Sequence, residues 1–179
     1  GRLSADGSSF YSVNMMDFEL VELDAFAFKL TRRLSLGEGV MPTWVTRPTS
    51  DGLVYVTGNN VAKIFEVDLA TWTVRRTFET GPGPYNLDVT PDGTTLAVTR
   101  PEGVLFDGML GLRVFDRLSF FGADGAALSV EVRDNAVAFF WSPDSSKLAY
   151  VTQTGVPGLL RWMVLDVKAG TRYALTDFV

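Results

Sequence analysis

Two series of aspartates recur along this sequence. Asp6, Asp51, Asp92 and Asp144 each stand in a short polar turn, and Asp24, Asp68, Asp116 and Asp166 each follow an apolar residue at the end of an apolar run. Carboxylates are the hard oxygen donors of calcium and magnesium sites and the proton carriers of many hydrolases, so these positions are where chemistry would first be sought. The turn aspartates belong to separate repeats, however, and each is expected to accept hydrogen bonds from its own turn backbone, which makes them structural punctuation. No calcium loop with alternating Asp or Asn and a closing Glu is present. The acidic alternation Asp17, Glu19, Glu22 and Asp24, interleaved with Phe18, Leu20 and Leu23, reads as the solvated face of a half-buried strand. Arg32-Arg33 and Arg75-Arg76 are expected on outer strands, where charge discourages edge pairing. Gly81-Pro82-Gly83-Pro84 has the glycine content of a phosphate cradle, but its prolines remove backbone donors and it precedes a strand, so it reads as a linker.

Composition narrows the chemistry further. There is no histidine and no cysteine in the 179 residues, which removes the usual zinc, copper and haem ligands, the imidazole of a Ser-His-Asp or Cys-His machine, and any disulfide. The expected site therefore contains no catalytic residue, no metal ligand and no cofactor. A net charge of −5 with dispersed arginines argues against a nucleic-acid partner. No apolar run approaches the roughly 20 residues of a membrane helix, so a soluble chain without a transmembrane segment is expected. The first residues, Gly1-Arg2-Leu3, lead straight into a turn with no initiator Met and no signal-peptide pattern, which reads as a missing natural start.

The elements that position these residues follow from the spacing. Successive members of each aspartate series lie 41 to 52 residues apart, the length of one four-stranded propeller blade. With strands A to D named from the inside outward, the second repeat has strand A at 43–47, a turn through Asp51-Gly52, strand B at 53–57, strand C at 63–69 and strand D at 74–78. The third has strand A at 85–90, strand B at 95–99 and, after a long loop at 100–111, strand C at 112–116. The fourth has strands at 137–141, 147–152, 161–167 and 172–176, with a long loop at 153–160. The first has only strands B, C and D, at 9–13, 18–23 and 29–34. The fold class is thus all-β, a β-propeller of about four blades at 1–37, 42–80, 84–133 and 136–178. Three blades are complete and one lacks its inner strand. Exposed apolar faces are expected on both flanks. A segment of a larger propeller, a self-closed four-bladed ring and completion by another chain all satisfy that pattern.

The stretch 42–99 contains Pro42-Thr43-Trp44-Val45-Thr46, then Tyr55-Val56-Thr57-Gly58-Asn59-Asn60, then Gly81-Pro82-Gly83-Pro84-Tyr85-Asn86 and Pro91-Asp92-Gly93. It resembles the YVTN-type β-propeller repeat. The stretch 139–178, with Trp141-Ser142-Pro143-Asp144-Ser145-Ser146-Lys147-Leu148-Ala149-Tyr150-Val151, looks like the TolB-like, peptidase-associated propeller repeat. These resemblances imply the propeller fold and, because such proteins are often exported, a periplasmic or extracellular location. Some relatives bind haem through a histidine or carry a hydrolase domain. Neither property transfers to a chain without histidine.

Propeller ligands commonly bind on the face carrying the D-to-A and B-to-C connections. On that face the sequence places Trp44, Asn59, Asn60, Tyr85, Asn86, Arg100, Glu102 and Gln153. Trp141, inside an apolar strand, is expected to pack between blades. The leading expectation is a non-catalytic scaffold that binds a protein or a second copy through its loop face or open flanks. The propeller part of a hydrolase or other carboxylate-based enzyme, and a structural subunit completed by another chain, are the alternatives.

Overall fold

The computed structural model describes residues 1–101, 105–107, 112–115 and 117–179. Among these residues every regular element is a β-strand, and the strands form four four-stranded antiparallel sheets plus a small hairpin. The fold is a partial β-propeller of about four blades. The chain forms two compact units, Gly1–Val89 and Thr90–Val179.

In the first unit, blade one is β1 (Arg2–Leu3), β2 (Ser9–Asn14), β3 (Glu19–Asp24) and β4 (Lys29–Ser35), paired in chain order. Its inner strand, which the repeat pattern leaves out, survives as the two residues of β1, paired Arg2 to Tyr11 and Leu3 to Phe10. Blade two is β5 (Pro42–Val45), β6 (Leu53–Gly58), β7 (Lys63–Asp68) and β8 (Thr73–Glu79). The unit's core joins Tyr11, Leu20, Leu36, Val40, Val45, Val54, Val56, Phe65 and Val67. Gly58, the last residue of the Tyr-Val-Thr-Gly run, is required by close packing. A Cβ there would stand 2.7 Å from the Phe65 ring and 2.8 Å from Val61.

The third blade consists of β9 (Leu87–Val89), β10 (Thr95–Arg100), β13 (Arg117–Gly122) and β14 (Ala127–Val132), with the unit boundary in its first turn. Strands β11 (Leu105–Asp107) and β12 (Leu112–Val114) pair with each other as a separate hairpin. This corrects the expected strand C at 112–116. Strand β13 takes that place, pairing along all of β10 from Thr95–Gly122 to Arg100–Arg117, because Leu118, Phe120 and Phe121 supply the buried apolar residues the position needs. Asp116 lies outside the described residues. Gly122 occupies the register position that Asp24, Asp68 and Asp166 hold in the other blades, and Asp124, two residues on, accepts from the Ala126 amide instead.

Blade four is β15 (Ala136–Trp141), β16 (Lys147–Gln153), β17 (Leu160–Asp166) and β18 (Thr171–Phe178). The second unit's core joins Ala97, Leu118, Phe120, Val132, Trp141, Leu148, Tyr150 and Leu165. Trp141 packs edge-on against Phe120 with ring centroids 6.0 Å apart, in the role its apolar neighbours suggest.

The four A-to-B turns share one hydrogen-bonded device. A hydroxyl two residues before the aspartate donates to its carboxylate at 2.6 Å, from Ser4 to Asp6, Thr49 to Asp51, Thr90 to Asp92 and Ser142 to Asp144. The same hydroxyl accepts the amide of the first residue of strand B, at Ser9, Leu53, Thr95 and Lys147. The residue after the aspartate has positive φ in every case, at Gly7, Gly52, Gly93 and Ser145. The aspartates of the C-to-D hairpins cap their own loops in the same manner. Asp24 accepts from Phe26 and Ala27, Asp68 from Ala70 and Thr71, and Asp166 from Ala169.

These bonds hold the Asp6 and Asp144 carboxyls down at about 2, chiefly through Ser4 and Ser142, whose hydroxyls donate to the ionised form. Because the folded values lie below the unfolded ones, the unfolded chain binds more protons between them. Their stabilising contribution is complete above about pH 4 and is lost as the pH falls toward 2. A double variant Asp6→Asn, Asp144→Asn will therefore show a shallower acid limb in melting temperature across that window, and its deficit relative to wild type will shrink toward pH 2. A constant deficit across the window would remove the carboxylates from this role.

Candidate functional site

At one end of blade two, alternating threonines on β5 and β6 turn their hydroxyls toward the linker that leads to β9. The Thr43 and Thr57 hydroxyls lie 2.9 Å apart and are buried. Thr43 donates to the Pro84 and Tyr85 carbonyls at 3.3 and 3.1 Å, and Thr57 reaches the Tyr85 and Trp44 carbonyls at 3.0 and 3.4 Å. The Asn59 side-chain amide adds a donor to the Pro84 carbonyl at 3.1 Å. These bonds satisfy carbonyls in a linker whose prolines can donate nothing in return.

The structure thus brings together Trp44, Asn59 and Tyr85, with Asn60 exposed on the same B-to-C turn and half-buried Asn86 following Tyr85. Asn59 is partly committed to holding the linker. The half-buried Trp44 ring lies 5.2 Å beneath the Arg2 guanidinium, a cation–π contact supplied by the stub of strand A. Thr43 and Thr57 carry no site signal in the sequence, because Thr in a strand reads only as β propensity.

Arg100 and Gln153 belong to the second unit. Arg100 donates to the Ser119 hydroxyl at 2.7 Å and lies 3.5 Å from Glu131, which also meets Arg117 and Arg133. Gln153 lines an open cleft of about 700 Å3 with Asp134, Arg161, Arg172 and Asp177. The charges in that cleft are paired, Arg161 with Asp177 at 2.5 Å and Arg172 with Asp134 at 2.7 Å. Glu102 lies outside the described residues.

Of the acidic alternation in blade one, Asp17 is exposed and Glu19 and Asp24 are half-buried, but Glu22 is not solvated. Glu22 is 7% exposed and is clasped by Arg32, whose Nε and Nη2 donate at 2.5 and 2.9 Å, with Thr31 adding a third bond. Blade two repeats the arrangement at identical register. Tyr11–Glu22–Arg32 corresponds to Tyr55–Glu66–Arg76, and Glu66 is 1% exposed with Arg76 at 2.7 Å and Arg75 at 3.7 Å. The outer-strand arginines therefore neutralise buried carboxylates as well as charging the edge. Arg33 pairs instead with the half-buried Glu19 at 2.7 Å. Arg32 also stacks over the Trp72 ring at 4.1 Å and donates to the Leu69 carbonyl, fastening blade one to blade two. Sequence periodicity missed these pairs because the partners are ten residues apart across a hairpin.

The buried Tyr55 and Tyr150 phenols and the Glu22 carboxylate are each held in one protonation state. Burial and the neighbouring Glu66 carboxylate push the Tyr55 phenol up to about 12, and burial with Asp134 raises Tyr150 likewise, so both stay protonated hydrogen-bond donors. Arg32 lowers Glu22, keeping it an ionised anchor. Among the described residues no group of three or more Asp or Glu is placed to hold a metal ion. No described helix is long and apolar enough to cross a membrane.

The sequence matches no family model and no curated protein. Many solved structures resemble the fold, and two of them match almost all of this chain. One is hydrazine synthase from Kuenenia stuttgartiensis, with a TM-score of 0.73 at 17% identity over 97% of this chain and 48% of the other. The second is a functionally unknown protein from Desulfotomaculum acetoxidans, with a TM-score of 0.68 at 14% identity over 98% of this chain and 54% of the other. The chain spans about half the length of both, and at these identities the likeness concerns the fold.

Removing one partner of a buried ion pair leaves a charge without compensation, whereas an exposed pair contributes little. Arg75→Met with Arg76→Met, which takes both cations from Glu66, should therefore cost about 3 kcal/mol in denaturant unfolding, and Arg33→Met less than about 1 kcal/mol. Equal costs would contradict the assignment of Glu66 as the buried anchor. Thr57→Val, which strips buried carbonyls of a donor, should cost about 1–3 kcal/mol.

Proposed function

We propose that the chain is a non-catalytic β-propeller scaffold that binds protein. The observation that carries this reading is a pair of uncovered apolar sheet faces. On blade one the cross-strand row Leu3–Phe10–Leu23–Leu30 faces away from the unit core. On blade four Phe140, Trp162 and Phe178 form an aromatic row with centroids 6.0 and 6.1 Å apart, and Phe140 and Tyr173 are exposed. Contiguous exposed apolar surface on a folded domain marks an interaction site. The blade-two mouth around Trp44, Asn60, Tyr85 and Asn86 adds a polar and aromatic loop face of the kind scaffolds use for specificity. The resemblance of 42–99 to YVTN-type repeats and of 139–178 to TolB-like repeats supports the same role, and with it a periplasmic or extracellular location.

A second reading is the propeller portion of a larger enzyme. It is favoured by the chain's matching half of two longer chains, one of them a hydrazine synthase. Assaying the chain against a panel of glycosides, lactones and peptides separates the two. The scaffold reading expects no turnover, and turnover abolished by changing a carboxylate would replace it. The loop face is tested by Trp44→Ala with Tyr85→Ala, which should lower capture of a native binding protein about tenfold, a loss of about 1.4 kcal/mol, while circular dichroism shows the variant still folded. Unchanged capture would exclude that face.

A further inference from the structure

The step from one blade to the next is built differently in the two units. In the first unit the linker 36–41 joins β4 to β5, and its Leu36 and Val40 are buried in the core. Val40 closes over the end of strand B, where its Cγ1 lies 3.0 Å from the place a Cβ on Gly58 would take. In the second unit the linker from β14 to β15 is only Arg133-Asp134-Asn135, which brings no apolar residue to that place. Thr152, at the register position of Gly58, borders an open cleft of about 700 Å3 instead. The B-to-C connection beside it is also longer, 154–159 against 59–62 in blade two. Thr154 braces that longer loop, its hydroxyl donating to the Leu159 carbonyl at 2.9 Å and accepting the Val156 amide at 3.1 Å. The cleft therefore lies within one unit, on the face of the D-to-A and B-to-C connections, and has the volume of a small-molecule site.

The polar groups around the cleft are held in place and matched in charge. Asp134 accepts from the buried Tyr150 phenol and from Arg172, both at 2.7 Å and both through Oδ2, which leaves Oδ1 as an acceptor. Arg161 binds Asp177 through Nε and Nη2 at 2.5 and 2.9 Å, which leaves Nη1 as a donor. Arg133 is paired with Glu131 at 2.9 Å. Val156, Leu159 and Met163 supply the apolar part of the lining. We infer that this cleft binds a short neutral saccharide. Each guanidinium–carboxylate pair sets a donor beside an acceptor, and neighbouring sugar hydroxyls answer both at once because a hydroxyl donates and accepts. The C–H face of a sugar ring then meets the apolar residues. A charged ligand would give up its hydration without gaining an unmatched counter-charge. A peptide added as a strand needs an open sheet edge, whereas β16 and β17 beneath the cleft are each paired on both sides. The inference goes beyond the protein-binding reading, since it uses neither the uncovered apolar faces nor the blade-two mouth.

The test is calorimetric titration of the 179-residue chain with maltose, cellobiose, mannobiose and diacetylchitobiose. At least one of these sugars should bind saturably with a dissociation constant at or below about 1 mM. No saturation with any of them up to about 10 mM overturns the inference, whatever protein capture shows. For the sugar that binds, Arg161→Gln and Asp177→Asn should each weaken affinity about tenfold, because each removes one group of a donor–acceptor pair. Both residues are partly exposed, so the fold tolerates either change. Glu79→Gln alters the register-equivalent pair of Lys63 and Glu79 in blade two and should leave the affinity unchanged. Unchanged affinity in the Arg161 and Asp177 variants, or an equal loss in the Glu79 variant, would overturn the assignment of this cleft. Cationic chitobiose, a disaccharide containing glucuronic acid and tetraalanine complete the panel. Each should bind more weakly than the neutral sugar, and tighter binding of any of them would replace a neutral saccharide with a cation, an anion or a peptide as the ligand.

Discussion

A propeller blade is a sheet with two apolar faces, and a four-stranded sheet is stable in water only when those faces are covered. Most of what distinguishes the blades of this chain follows from that requirement. The second and third blades bury residues on both sides, including Tyr55 and Glu66 on one and Leu96 and Phe121 on the other. The first and last blades each bury one side and leave the other half-covered. The strands themselves are alike throughout, with the same A-to-B turn device and closely similar C-to-D hairpins, so the difference lies in what stands next to each sheet.

The same requirement explains why carboxylates occur where apolar residues would suffice. At one register position of strand C, the first unit places Glu22 and Glu66, while the second places Phe120 and Val164. The glutamates are tolerable because an arginine directly across the hairpin neutralises each, and because Thr31 or a second arginine takes the remaining lone pairs. Such pairs add little net stability over a well-packed apolar residue, and each ties strand C to strand D of its own blade. Arg32 also reaches the next blade through the Trp72 ring.

Much of the fold could be read from local chemistry. Asp-Gly turns, the 41-to-52-residue recurrence and alternating apolar residues are short-range signals, and each turn aspartate is satisfied within its own loop. The third blade was harder because Leu112–Val114 and Arg117–Gly122 are both strand-like and adjacent. Only the pairing of β13 along the whole of β10 shows which one enters the blade. The sequence placed Trp44, Asn59 and Tyr85 on one loop face by position alone. The Thr43 and Thr57 hydroxyls that bind the Trp44 and Tyr85 carbonyls carry no signature in a strand sequence. The buried status of Glu22 was hidden for a related reason, since an alternating acidic pattern looks the same whether its arginine partners lie across a hairpin or in solvent.

By itself, then, the amino-acid sequence determined the strand-and-turn repeat, the absence of imidazole and thiol chemistry, and the structural role of the turn aspartates, because those depend on residues within a few positions of one another. The tertiary structure decided which carboxylates are buried, which strand completes the third blade, and which two sheet faces remain open. Each of those depends on what a residue meets across a sheet or between sheets, and burial is a property of neighbours brought together from distant parts of the chain.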